Sequence, residues 1–500
     1  MSSASSLDEK NAPSAAIQPV LLDEGEHKKL LRRIDWRNLP LIMWQYMVMR
    51  IDVGNISNAG VMNSETGHSL KQVLGLSAKE WAWCIQVFYF SYLVVEPVST
   101  YFIRISTPSR WIARIMISWG IVMMCMAAVT NYGGLIATRF IVGLCEGGYF
   151  PGIIFYWTHW YTSFELAPRI LGLYAAGAAA GAASGFLAWA ISFTNGVPMY
   201  GWRWLFIIEG AIPILTGIAT FWLLPDFPST SKWLSPREVE HLALHLHKYA
   251  PKKTTALFDW KQTLVIFRDP TWYIFTLAWV LQAVGGYGVS LVLPQVVKDM
   301  NFVGSAATNL LQIPPAAATI LFLFICSELL RRKKINAFPL AIINDLIVIV
   351  GLILLIKVDK PGVKYFAITL LTASAGVIYP ILWPRRVQCF RGSAGAALGI
   401  GLHNASAQLS GLLGPQLFRS DYAPTYEKSY IAASIMVAAV ILLLLPLWYL
   451  LDGDISGHPW LVSHVHAQTQ FREGDDERDA KEEAYEEGDE RRQGKTAQTA

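Results

Sequence analysis

The chain has 500 residues, of which 53% are hydrophobic and 16% charged, with 41 basic and 37 acidic residues leaving a formal net charge of +4. Together with a positive mean hydropathy of +0.35, this composition excludes an ordinary soluble enzyme or a basic nucleic-acid binder, because soluble domains carry more charge. Apolar runs long enough to cross about 30 Å of hydrocarbon, roughly 20 residues each as helix, recur along most of the length.

Residues 1–35 form a polar N-terminal tail without an apolar core behind basic residues, so no cleavable signal is expected and the tail is expected in the cytosol. Six apolar runs follow, near 39–61, 81–103, 111–130, 134–159, 168–193 and 202–224, giving an N-terminal bundle over 36–224. Residues 225–269 form a charged central loop, in which Ser235 is placed to cap an amphipathic helix beginning at Pro236. Runs near 271–297, 306–329, 336–357, 363–383, 394–418 and 429–451 make a second bundle over 270–452, and the charged stretch 453–500 reads as a disordered tail. The reading is an all-α membrane protein of twelve transmembrane helices in two pseudo-symmetric six-helix bundles, the plan of many secondary transporters. Arg104, Arg110 and Arg114, the Arg331–Lys334 run, and Arg385, Arg386 and Arg391 fall on one side, the cytosolic side by the positive-inside rule. Lys357, Lys360 and Lys364 depart from that trend.

An ionisable residue at a helix centre costs about 2.5–3.5 kcal/mol on insertion scales, so charges inside spans need a reason. Span one carries Arg50 and Asp52 with Asn55 and Asn58 on a polar stripe, span two carries Glu96 before Pro97, and span four carries Arg139 and Glu146. Seven residues turn a helix by about 700°, so Arg139 and Glu146 share a face about 10 Å apart along the axis. A permanent cation and a titratable acid facing one wet cavity suit anion binding and proton carriage; a helix-to-helix ion pair, for instance Arg139 with Asp52, is the structural alternative. Glu96 reads as a structural or gating residue. Gly177, Gly181 and Gly185 give span five a smooth face for close packing, and Gly285, Gly286, Gly288, Pro294 and Pro314-Pro315 suggest broken helices in spans seven and eight.

The stretches GWRWLFIIEG (201–210), LLPDFP (223–228) and TPSRWIARIMISWG (107–120), with Glu165 and Arg169 after a WY pair, resemble the major facilitator superfamily. Within it the chain is most similar to the anion:cation symporter family, in the fungal branch of allantoate, nicotinate and pantothenate permeases. The resemblance implies a proton site at Asp52, an anion contact at Arg139 and a protonated partner at Glu146. The family arginine after the aspartate is replaced by Val53, and Arg50, about 60° around the same helix, either restores that cation or pairs with Asp52. Tyr379 and Asn404, with Trp383, His403 and Gln408, are candidates for hydrogen bonding and stacking in the second half.

The expected function is proton-coupled symport of a small organic anion by alternating access, with Asp52 and Glu146 coupling protons and Arg139, Arg50, Asn55, Tyr379 and Asn404 binding substrate. Export of a secondary metabolite and non-transporting nutrient sensing are the alternatives. The expected partners are the anion, protons and the lipid bilayer, with no nucleic acid, no metal and no cofactor. The chain is expected to be a monomer in the plasma membrane with both termini cytosolic.

Overall fold

The computed structural model describes residues 22–194, 199–249, 266–286, 305–332, 334–389, 393–419 and 425–452, with single positions between these runs. The first half holds α1 (Glu24–Val61), α2 (Ala78–Ile105), α3 (Pro108–Met126), α4 (Tyr132–Trp157), α5 (Ser163–Ser192) and α6 (Gly201–Leu223). The second holds α7 (Pro270–Leu281), α8 (Ile313–Arg331), α9 (Ala337–Lys357), α10 (Pro361–Cys389), α11 (Ser393–Leu417) and α12 (Glu427–Asp452). Seven described helices are long and apolar enough to cross a membrane by length and composition. Others fall short of that apolar measure because they carry inward-facing polar groups such as Asp52 in α1 and Glu96 in α2. Asp23 and Glu26 form a capping box at the start of α1, Ser77 and Glu80 one at α2, and Thr162 and Glu165 one at α5.

The helix breaks have local causes. α4 is interrupted at Gly147-Gly148, where added Cβ atoms would overlap Val95 and Ser99 of α2; the two glycines let α2 and α4 meet closely. α7 ends in a π-helical turn, Gln282–Gly286, while Gly288 and Pro294 lie outside the described residues. Span eight is broken as expected, at residues 311–312 just before the prolines at 314 and 315. A short helix, Ser305–Leu310, ends first, and α8 starts with proline in its first turn, where a missing N–H costs nothing.

The starts of α1, α3 and α5 and the end of α6 meet at one end of the first half, which also carries Arg32, Arg33, Arg37, Arg110 and Arg114. At this basic end a surface helix, Pro236–Tyr249, follows the first half, and Ser235 and Glu238 close its capping box. Arg33 of α1 donates to Glu238 at 2.7 Å, and Arg169 forks onto Asp35 at 2.9 and 2.8 Å. The backbone N–H of Ser109 donates to Asp226 at 2.8 Å, so the acid of LLPDFP satisfies the start of α3. Residues 1–21, 250–265 and 453–500 of the expected tails and loop lie outside the described residues.

The two halves touch through α2 with α11 and α5 with α8. Gln86 donates to the Leu412 carbonyl at 2.6 Å, and Gln312 donates to Asn58, which in turn donates to Ser184. The glycine stripe of α5 is therefore divided in purpose. Gly185 lies against the Asn309 carbonyl across the interface, Gly177 lies against Tyr46, and Gly181 has open space where a side chain would be. Gly185→Ala is expected to lower stability by about 1–3 kcal/mol through overpacking against backbone, whereas Gly181→Ala stays within about 0.5 kcal/mol of the parent protein. Thermal unfolding of the two purified variants measures the difference.

Candidate functional site

A cavity of about 270 Å³ lies between the halves, walled by α1, α2, α4 and α5 on one side and by α7, α8, α10 and α11 on the other. From α1 the wall takes Tyr46, Met49, Arg50, Val53, Gly54 and Ser57, with Ile56 at its edge, largely the i, i+3, i+4, i+7 spacing of one helix face. Arg50 and Val53 thus stand on the same wall. Asp52, at the edge of that face, and Asn55, turned further away, do not line the cavity.

Arg139 reaches the cavity from α4. It is 1% exposed; its Nε donates to the Cys84 carbonyl at 3.2 Å, and its guanidinium carbon lies 4.6 Å from the centre of the Phe88 ring. Nη1 and Nη2 are buried without a hydrogen-bond partner among the described residues. A buried guanidinium left with open donors is costly. The ion pair with Asp52 is not formed. Asp52 instead accepts from Trp119 Nε1 at 2.7 Å.

Behind the α1 wall the first half holds a group of acids. Glu146 is fully buried, its two oxygens lack a hydrogen-bond partner among the described residues, and Asp52, Arg139 and Arg50 are the charged groups acting on it. It shares the face of Arg139 but lies deeper, off the cavity wall. Asn55 donates to Met123 Sδ at 3.2 Å and stands beside Glu209, a second buried acid that Asp52 also acts upon. Glu96 crosses the halves by accepting from Asn404 Nδ2, and Asn404 does line the cavity. Reading the charges of spans one, two and four misses Glu209 in α6 and Asp345 in α9, both buried; the signal was a lone acid in LFIIEGAIP and in AIINDLIV.

In the second half, Tyr379 lines the cavity, its hydroxyl 3.4 Å from the Trp279 carbonyl and its ring 4.6 Å from that of Trp279. Gln408 also lines it, while Trp383 and His403 lie behind. His403 is enclosed by Trp279 at 4.3 Å and Trp383 at 5.5 Å between ring centres. Arg386 does not sit on the rim expected from sequence. It is 1% exposed and lies over Trp272 and Phe275, whereas Arg385 reaches Asp452 at 3.5 Å.

Two helical halves enclose a chamber of largely aromatic and apolar walls with a few polar groups, the arrangement of a membrane transporter. A model of the Major Facilitator Superfamily matches residues 42–415, and the chain belongs to that family. It is 29% identical over 422 residues to the MFS-type transporter cnsO of Penicillium expansum, covering 81% of this chain and 80% of that protein. It is 31% identical over 435 residues to the uncharacterized transporter C1002.16c of Schizosaccharomyces pombe, covering 85% and 84%. The crystal structure of a D-xylose-proton symporter has the same fold, with a TM-score of 0.62 at 16% identity over 82% of this chain and 97% of that one. These relatives are transporters, and the protein is not an enzyme.

Because Trp119 supplies the described hydrogen bond to Asp52, Trp119→Phe is expected to destabilise the protein by about 1–3 kcal/mol. The same change made on Asp52→Asn costs less, since the acid that needed the donor is gone. A double-mutant cycle read by thermal unfolding checks this coupling.

Proposed function

We propose that the protein is a proton-coupled symporter of a small organic anion, working by alternating access as a monomer in the plasma membrane, with the basic end and both termini in the cytosol. The observation that carries the reading is the pair of unpartnered Arg139 Nη atoms at a cavity between the halves. A carboxylate offers two acceptors in the geometry the guanidinium fork matches. The cavity of about 270 Å³ is at the small end of ligand pockets, which suits an acid of one ring or a short chain among aromatic walls such as Tyr46, Tyr89 and Trp279. The resemblance to anion:cation symporters and the Lys/Arg-rich loops at one end support substrate class and orientation.

In this mechanism Asp52 or Glu146 takes a proton from outside. The field at Arg139 and Arg50 becomes more positive, and the anion binds with Tyr379 and Asn404 completing its contacts. Asn55 acts indirectly, as a neighbour of the acids. The loaded carrier rocks, the proton leaves to the cytosol, and the restored negative charge weakens the field of the arginines, so the anion is released. Glu96 and Asn404 form a contact across the halves that breaks and re-forms during the cycle.

Uptake of a labelled organic-acid panel in permease-deficient cells tests the reading. Arg139→Ala is expected to weaken anion recognition roughly 10- to 150-fold, the worth of a charge-assisted hydrogen bond of about 1.5–3 kcal/mol. Glu146→Gln is expected to keep anion exchange while losing accumulation driven by a proton gradient. Equal uptake by the parent protein and both variants overturns the mechanism.

A further inference from the structure

At the basic end, three segments distant in sequence converge on one carboxylate. His27 Nε2, from the first turn of α1, lies 2.9 Å from Glu165 Oε1 at the start of α5. His245 Nε2, from the surface helix, lies 3.4 Å from the same oxygen. One ligand atom from each of the three residues falls within 4.8 Å of the others. Their side chains are mostly withdrawn from solvent, at 14%, 17% and 24% exposure. His241, one turn before His245 on the same face of its helix, places Nε2 at 3.0 Å from His27 Nδ1.

We propose that His27, His245 and Glu165 form a binding site for a divalent transition metal of the zinc type, with His241 behind His27 and a water molecule as the fourth ligand. The donor set of two imidazoles and a carboxylate is one that zinc takes. The geometry agrees, since metal–ligand bonds of 2.0–2.1 Å in a tetrahedron put neighbouring ligand atoms about 3.3 Å apart. The two separations from Glu165 Oε1, 2.9 and 3.4 Å, lie on either side of that value, and with all three ligand atoms within 4.8 Å of one another a metal closes the site by drawing the two histidine nitrogens together. The outer shell is also present: a ligating histidine normally has its other nitrogen held by a polar neighbour, and His241 holds that of His27.

Without metal the cluster has a definite hydrogen-bond sense. The Leu22 N–H donates to His241 Nδ1 at 3.1 Å. His241 therefore carries its proton on Nε2 and donates to His27 Nδ1, and His27 donates from Nε2 to Glu165. A metal on His27 Nε2 requires His27 to carry its proton on Nδ1 and His241 on its own Nδ1. These two tautomer changes involve no net gain or loss of protons, and they remove the acceptor of the Leu22 amide. Metal binding thus ties the surface helix to α1 and α5 while releasing the segment that enters α1.

The test uses purified full-length protein in detergent, stripped with chelator and titrated with zinc chloride by calorimetry, with bound metal counted after dialysis. The parent protein is expected to bind one more equivalent than the His27→Ala/His245→Ala double variant, and each single variant to weaken that site at least tenfold. His241→Ala is expected to weaken it about tenfold, the range of an outer-shell partner. Arg139→Ala keeps the metal, which separates this site from the transport reading. Zinc is expected to raise the unfolding temperature of the parent protein and leave that of the double variant unchanged, which also reports that the variant folds. Equal metal counts in parent and double variant, or no bound zinc in the parent, overturn the proposal.

Discussion

Hydrocarbon offers no hydrogen bonds, and that single constraint orders this molecule. Every charged group carried into a span must turn to another helix or to an enclosed space. Asp52 turns to Trp119, Glu96 to Asn404, and Arg139 to the Cys84 carbonyl and the Phe88 ring. Each solution ties two helices together, so the polar side chains are also the pins of the bundle. Arg139 is satisfied only in part. Its Nε is held, but its two Nη atoms are buried without a hydrogen-bond partner among the described residues, on a residue that lines the cavity, an arrangement that costs stability.

Apolar spans of about 20 residues are a property of local composition, so both six-helix halves were legible in the sequence. Arg139 was legible for the same reason, as a charge in an oily run. What the sequence could not supply is rotation. Asp52, Asn55 and Asn58 read as one polar stripe, yet Asp52 and Asn55 face the acids of the first half while Asn58 bridges α5 and α8. The direction a stripe faces is decided by neighbouring helices, not by its own spacing. The break in span eight was legible too, because proline cannot continue a helix and opens the next one. The cluster of His27, Glu165 and His245 is wholly non-local, with only the i, i+4 spacing of His241 and His245 visible beforehand.

In the proposed symport, the two faces of α1 bear on how a proton and an anion would be linked. One face supplies Arg50 and Val53 to the cavity; the other packs Asp52 among Trp119, Glu146 and Glu209. An acid behind the wall cannot touch the substrate, so any coupling must pass through the field or through movement of the helix. The field alone is sufficient in size. Glu146 and Arg139 are about 10 Å apart along their helix, and at that distance, with an effective dielectric near 20, one unit of charge is worth about 1.7 kcal/mol. That is somewhat more than a tenfold change in an equilibrium, which is enough to bind an anion on one side and release it on the other. It also favours keeping the acid off the wall: a carboxylate in contact with Arg139 would occupy the fork itself and exclude the substrate, whereas one set back by two turns weakens binding without taking the site.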